Sequence, residues 1–192
     1  VFDEVLLRLT RQIETFARVA IAERLAIHPN APPRLMNELA FDGAIDVARP
    51  VLSQSAALTE TTLVEVARQR GQDHLLAIAA RVSVPEDVTD VLVERGDTRV
   101  ALATLRNRGA RFSSHGFDKL AERSLGDETL AVGFFERDDV PRQHMVKLYI
   151  NATALVRKRL ETVDRRRAAE IGRIVAEVAD SMMAMSRAAS QA

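Results

Sequence analysis

Cysteine is absent from the 192 residues. That excludes a disulfide framework, a thiol nucleophile and a thiolate metal site. Tryptophan is also missing, tyrosine occurs once (Tyr149), and aromatics make up only 4%. Neither charge sign dominates: 27 Lys+Arg balance 27 Asp+Glu. A strongly basic nucleic-acid module is disfavoured on that count. No uncharged apolar run reaches the ~18 residues that a membrane helix needs. The start shows no charged-then-apolar leader pattern, so a cytoplasmic location is expected. The first residue is Val1 rather than Met, the pattern of a fragment of a longer protein. Glycine is scarce, at 8 residues.

Alanine, by contrast, occurs 29 times. It has the best helix propensity and glycine nearly the worst. The β-branched residues sit at helical spacing, with no run of strict alternation, so an all-α chain is expected. The length suits one domain with a real core. Near the start, Leu6, Leu9, Ile13, Phe16 and Ala20 form one apolar stripe at steps of three and four. That helix should stop before His28-Pro29, because a residue preceding proline is pushed out of the α region.

From Pro32 a repeat appears. Gly43, Gly71, Gly96 and Gly126 are spaced by 28, 25 and 30 residues. Four residues after each stands Val47, Leu75, Val100 or Leu130; nine after, Leu52, Ala80, Leu105 or Phe135. Eight before the first three come Leu35, Leu63 and Val88, with Phe117 taking that role, slipped by one, in the fourth. Pro32, Glu60 and Pro85 precede by eleven and suit a first helical turn. Glycine would end the first helix in the left-handed conformation. Asp73, Asp97 and Asp127 are natural N-caps for the second. Each unit is then two short helices that cannot bury their stripes alone and must stack.

A fifth half-unit begins at Pro141, where VPRQHMVKLY echoes VPEDVTDVLV. Ala152, Val156 and Leu160 continue its stripe. With no following Pro, the spacing predicts one uninterrupted helix from about Ala152 to about Arg187, roughly 50 Å long.

The stretch ERLAIHPNAPPRLMNELAFDGAIDVARPVLSQS (Glu23 to Ser55) resembles leucine-rich-repeat-variant and HEAT-like bacterial helical repeats. With LVEVARQRGQDHLLAIAAR and VTDVLVERGD added, Leu25 to Tyr149 resembles the bacterial family called domain of unknown function 2336. The resemblance implies a right-handed α-solenoid of HEAT/ARM-like helix pairs and carries no catalytic residues with it. The domain reading is a capping N-terminal helix at 1–31, helical repeats at 32–150, and a long C-terminal helix at 151–192.

Motifs for chemistry are few. His28, His74, His115 and His144 are never three or four apart, and none precedes Glu. His28 reads as a turn residue and the others as partly exposed helix residues. Ser113, Ser114 and His115 are adjacent, but neighbouring side chains on a helix do not face each other. One of the serines is better read as an N-cap. Glu86-Asp87, Asp127-Glu128 and Asp138-Asp139 lie near helix starts, where the dipole favours negative charge. Neither a P-loop nor a dinucleotide fingerprint is present. No catalytic residue, metal or cofactor is expected.

Two features of the last forty residues bear on partners. Arg157, Lys158, Arg165, Arg166 and Arg173, with Arg159 and Arg167, form a basic run. It is either a solvated face laced by the pairs Glu161–Arg165, Arg166–Glu170 and Arg173–Glu177, or a nucleic-acid contact converging with Arg106, Arg108 and Arg111. Stacking aromatics are missing from this segment. Ile171, Ile174, Val175, Val178, Met182 and Met185 form an apolar stripe beyond the repeats. It either folds back as a cap or joins two copies in a homodimer. The expectation is a non-catalytic scaffold that binds an unknown protein partner. The alternatives are a nucleic-acid-binding repeat protein and an enzyme with a site between repeats.

Overall fold

The structure is a computed structural model that describes residues 14–189, with side chains through residue 177. The chain divides into two compact units, one up to Gly116 and one from Phe117 onward. The first holds α1 (Thr15–Ala26), α2 (Pro33–Ala40), α3 (Ile45–Gln54), α4 (Glu60–Gln69), α5 (Gln72–Ala79), α6 (Glu86–Arg95) and α7 (Thr98–Arg106). α8 (Ser114–Ser124) begins at its end. The second unit continues with α9 (Glu128–Phe135), α10 (Arg142–Asn151), α11 (Ala154–Val163) and α12 (Arg165–Ala189). Among the described residues there is no strand. A single parallel bridge joins Val84 and Ala110, where two loops between helices run side by side.

The helix starts follow the expected chemistry. Pro32, Pro85 and Pro141 occupy the N-cap positions of α2, α6 and α10. Their missing N–H is no loss there. Thr59, Asp97, Asp127 and Thr153 accept hydrogen bonds from first-turn amides of α4, α7, α9 and α11. Asp73 is not a cap: it sits in the first turn of α5, and Gly71 holds the N-cap. α1 stops at Ala26, ahead of His28-Pro29. Its buried side is Ala22 and Ala26, whereas Phe16 and Ala20 are exposed. Small side chains let α1 lie close on α3. Leu6, Leu9 and Ile13 lie outside the described residues.

The glycines work differently from the expectation. None of the described ones has positive φ. Gly96 caps α6 at φ −68°, ψ 142°, an ordinary extended conformation. It is glycine for want of space: a Cβ there would press on the Leu92 carbonyl and come within 2.7 Å of Val100 Cβ. At Gly109 a Cβ would run into the Val82 carbonyl oxygen.

The interior shows where the repeat pattern holds. Leu35, Val47, Leu52, Leu63, Leu75, Val88, Val100, Leu105, Phe117, Leu130 and Phe135 are all buried. Ala80 is exposed, and Ala79 is buried in its place, because α5 ends a residue earlier. In the first unit α1, α3, α5 and α7 pack in succession, while α4 packs on α6. The helices of a pair also touch, α2 on α3, α4 on α5 and α6 on α7. In the second unit α9 packs on α11, and α10 and α11 each pack on α12.

The expected uninterrupted C-terminal helix is two helices. Asp164 breaks it at φ −145°, ψ 93°, and its Oδ1 accepts the Arg167 amide at 2.9 Å. A short acceptor side chain competes with the helix for backbone donors and restarts it in a new direction. α12 then runs 25 residues, about 37 Å.

A second periodicity lies in the polar contacts. Helix C-termini leave carbonyls without intrahelical donors. Side chains 26 to 32 residues further on supply them. Arg81, after α5, donates to the Leu52 and Ser55 carbonyls at the end of α3, at 2.6 and 2.9 Å. Asn107, after α7, donates to the Ala79 and Arg81 carbonyls at 2.8 and 2.6 Å. Arg167 donates to the Phe135 and Arg137 carbonyls after α9, at 2.7 and 2.9 Å. The other row does the same: Arg70 reaches the Phe41 carbonyl and Arg95 the Ala67 carbonyl. Arg70 and Arg167 also lie over the rings of Phe41 and Phe135, at 5.9 and 5.3 Å.

Candidate functional site

The second unit carries most of the residues expected to meet a partner. On α12, Ile171 is buried, and Ile174 and Val175 are half-buried. Ile171 and Ile174 line a cleft of about 240 Å³ with Val140 and Met145 of the α10 region and with Arg167. The side chains of Val178, Met182 and Met185 lie outside the described residues. The first part of the stripe is therefore already used, in part, to seat α12 on α10.

Of the basic run, Arg157, Lys158, Arg165, Arg166 and Arg173 are exposed, as are Arg106, Arg108 and Arg111 of the first unit. Arg167 is not a free cation, because it holds the carbonyls described above. Arg159 pairs with Glu128 at 3.1 Å. Two of the expected helical pairs do not form. Glu161 and Arg165 are separated by the break at Asp164, so they no longer share a helix face. Glu161 instead accepts from the Tyr149 hydroxyl at 3.4 Å. Arg166 and Glu170 share α12, but both are exposed and no ion pair joins them.

The result is a second cleft, of about 440 Å³, walled by Tyr149 of α10, by Lys158, Glu161 and Thr162 of α11, and by Arg165 at the start of α12. Ala168, Ala169 and Gly172 form its α12 side. Burial pushes the Tyr149 phenol pKa above its ordinary value, reinforced by the Glu161 carboxylate and opposed by Arg157. The phenol stays protonated and able to donate.

Two histidines differ from their expected exposure. His74 is buried, and its Nε2 sits 2.9 Å from the Asp42 carbonyl. His144 is only 3% exposed, stacked at 5.6 Å on Phe117 with Nδ1 3.3 Å from Asp118. Lys147 Nζ donates to the same Asp118 oxygen at 2.9 Å and lies 3.6 Å from Glu122. The Lys147 hydrogen bond holds the Asp118 carboxyl below the usual carboxylate range, and Asp118 in turn raises the Lys147 pKa. This is a bridge between α8 and α10. His28 is a turn residue as expected, its Nδ1 accepting the Asn30 amide at 3.1 Å.

Ser113 is the N-cap of α8: its Oγ accepts the Gly116 amide at 3.0 Å. It donates at 2.7 Å to Asp90 of α6, a partner that no local pattern announced. Glu86, Asp87 and Glu128 lie in first turns, and Asp127 is an N-cap. Asp139 pairs with the buried Arg137 at 2.6 Å. No group of three or more His, Asp or Glu suited to a metal ion occurs among the described residues. No described helix is long and apolar enough to cross a membrane.

Neither a curated protein nor a solved structure matches the chain. A family model does, with the description "Uncharacterised protein conserved in bacteria (DUF2336)", over residues 47–192. That range begins within α3, later than the resemblance at Leu25, and runs on through α11 and α12, which the resemblance left out. The matched range therefore covers α11 and α12 as well as the helices from α4 to α10. The chain belongs to this bacterial family.

Proposed function

We propose that the protein is a non-catalytic scaffold, a right-handed α-solenoid of HEAT/ARM-like helix pairs that works by holding protein partners. The observation that carries this reading is the ladder of Arg and Asn side chains on helix-end carbonyls of the preceding repeat. Such rungs lock each pair in register on the last, as stacked repeats require. Buried polar side chains serve the same end: Thr104 and Ser124 bond back to their own helices, and Thr89 donates to the Arg111 carbonyl. The chemistry in the interior is spent on stacking, which supports presentation of a fixed surface rather than turnover. A cytoplasmic setting fits a cysteine-free scaffold.

The first partner is a second copy, joined through α12. At 25 residues, α12 is about 37 Å long, against about 15 Å for each of the ten-residue helices α10 and α11 that it packs on. Its apolar stripe continues in sequence through Val178, Met182 and Met185. Sedimentation velocity on the wild type and on an Ile174→Asp, Val178→Asp double variant tests this. A dimer for the first and a folded monomer for the second are expected. A monomeric wild type removes the reading.

A further inference from the structure

We infer that the cleft between Tyr149, α11 and the start of α12 is a binding site for a small phosphate monoester that also carries hydroxyl groups. It goes beyond the scaffold reading and does not depend on it.

The volume, about 440 Å³, falls within the range of small-molecule sites. Its wall carries two cations, Lys158 and Arg165, and one carboxylate, Glu161. Glu161 would neutralise Arg165 on an unbroken helix. The break at Asp164 prevents this, and Glu161 turns to the Tyr149 hydroxyl. Among the described residues, no carboxylate lies within ion-pair distance of Lys158 or Arg165. A phosphate dianion between them would gain charge-assisted hydrogen bonds, with the fork of Arg165 suited to two oxygens.

Asp164 is committed to the Arg167 amide, so the site consists of side chains and not of the α12 terminus. The Thr162 hydroxyl proton is committed to the Arg159 carbonyl at 2.6 Å. Glu161 then decides the rest of the ligand. A carboxylate beside a phosphate repels it, unless the ligand offers hydroxyl donors to that carboxylate. The Tyr149 contact, long at 3.4 Å, is readily exchanged for one. Small residues at Ala168, Ala169 and Gly172 leave room for the ligand's carbon body.

The test is a titration of the full chain, followed by amide NMR shifts at Ala169 and Gly172, at constant ionic strength. A hexose 6-phosphate should bind with a dissociation constant of about 1 mM or tighter. Inorganic phosphate should bind more weakly and the unphosphorylated hexose not at all. A Lys158→Ala, Arg165→Ala double variant should weaken the ester by about tenfold or more. Glu161→Gln should erase the preference for the ester over inorganic phosphate. Arg106→Ala, on the first unit, should change nothing. The inference is overturned if the ester produces no shifts at about 20 mM, or if inorganic phosphate binds as well as the ester. It is equally overturned if Glu161→Gln strengthens both ligands alike, or if only a single-stranded oligonucleotide moves these amides.

Discussion

Removing one rung of the ladder measures how far the packing of α5 on α3 depends on it. Arg81 is the clearest rung, since its two bonds at 2.6 and 2.9 Å join the end of α5 to the end of α3. Burial lowers its guanidinium pKa from the ordinary value, yet it remains a cation at any neutral pH. Hydrogen bonds to a charged group contribute about 1.5–3 kcal/mol each, with non-additivity when two share one donor group. The side chain is part-exposed, and water replaces some of the lost bonding in a variant. About 3 kcal/mol is therefore expected for Arg81→Ala, equivalent to a fall in Tm of about 6–12 °C for a chain of this size. Arg81→Met retains much of the stem and separates packing from hydrogen bonding. It should recover less than half of the loss. Asn107→Ala, which removes the two bonds donated to the Ala79 and Arg81 carbonyls and the one accepted from the Gly109 amide, should cost about 2–3 kcal/mol. Arg106→Ala, exposed on the same part of the chain, should stay within about 0.5 kcal/mol. Urea unfolding followed by circular dichroism reads all four. If Arg81→Ala and Arg106→Ala unfold at the same midpoint, the ladder is ornament and the account of stacking fails.

Gly109→Ala should destabilise by more than about 1 kcal/mol, because its Cβ would meet the Val82 carbonyl, whereas Gly43→Ala, with open space around it, should stay within about 0.5 kcal/mol. Thermal melts of the two variants check this, and equal melts would refute it. The Asp118–Lys147 bridge gives a pH signature. The depressed Asp118 pKa means its contribution is present above the unfolded value of 3.8 and is lost as pH falls through the lower folded value. The raised Lys147 pKa means its contribution is present below 10.5 and is lost as pH rises through the higher folded value. The denaturation midpoint should therefore fall less steeply in Lys147→Met than in wild type below about pH 4. Parallel acid limbs would show that the bridge carries no linkage.

Much of the fold was legible in the sequence. Prolines and the caps at Asp97 and Asp127 mark helix starts through local chemistry that a few consecutive residues contain, whereas Asp73 is a first-turn residue and the caps at Thr59 and Thr153 were not picked out. The glycine-to-aliphatic spacing picked out buried positions from Leu35 to Phe135. It failed where a local competitor intervened: Asp164 captured an amide and split the last helix, and α5 ended early and exposed Ala80. The glycine argument erred in kind. A left-handed conformation was invoked, but none of the described glycines has positive φ; at Gly96 the constraint is the neighbouring Leu92 carbonyl, which no spacing reveals, and Gly43, Gly71 and Gly126 have open space where a Cβ would sit.

The candidate site was only half legible. Lys158 and Arg165 stood out as cations, and the sequence paired Arg165 with Glu161, which instead accepts from the Tyr149 hydroxyl. The turn at Asp164, and the nearness of Tyr149 twelve residues before Glu161, decide which charges remain open. What the amino-acid order determined by itself was local: helix against strand, caps, and which side of each helix is apolar. Only the tertiary structure decided which arginine serves which carbonyl and which cations line the cleft beside Tyr149. Those partners lie up to about thirty residues apart, and an arginine's identity carries no record of the acceptor that folding brings to it.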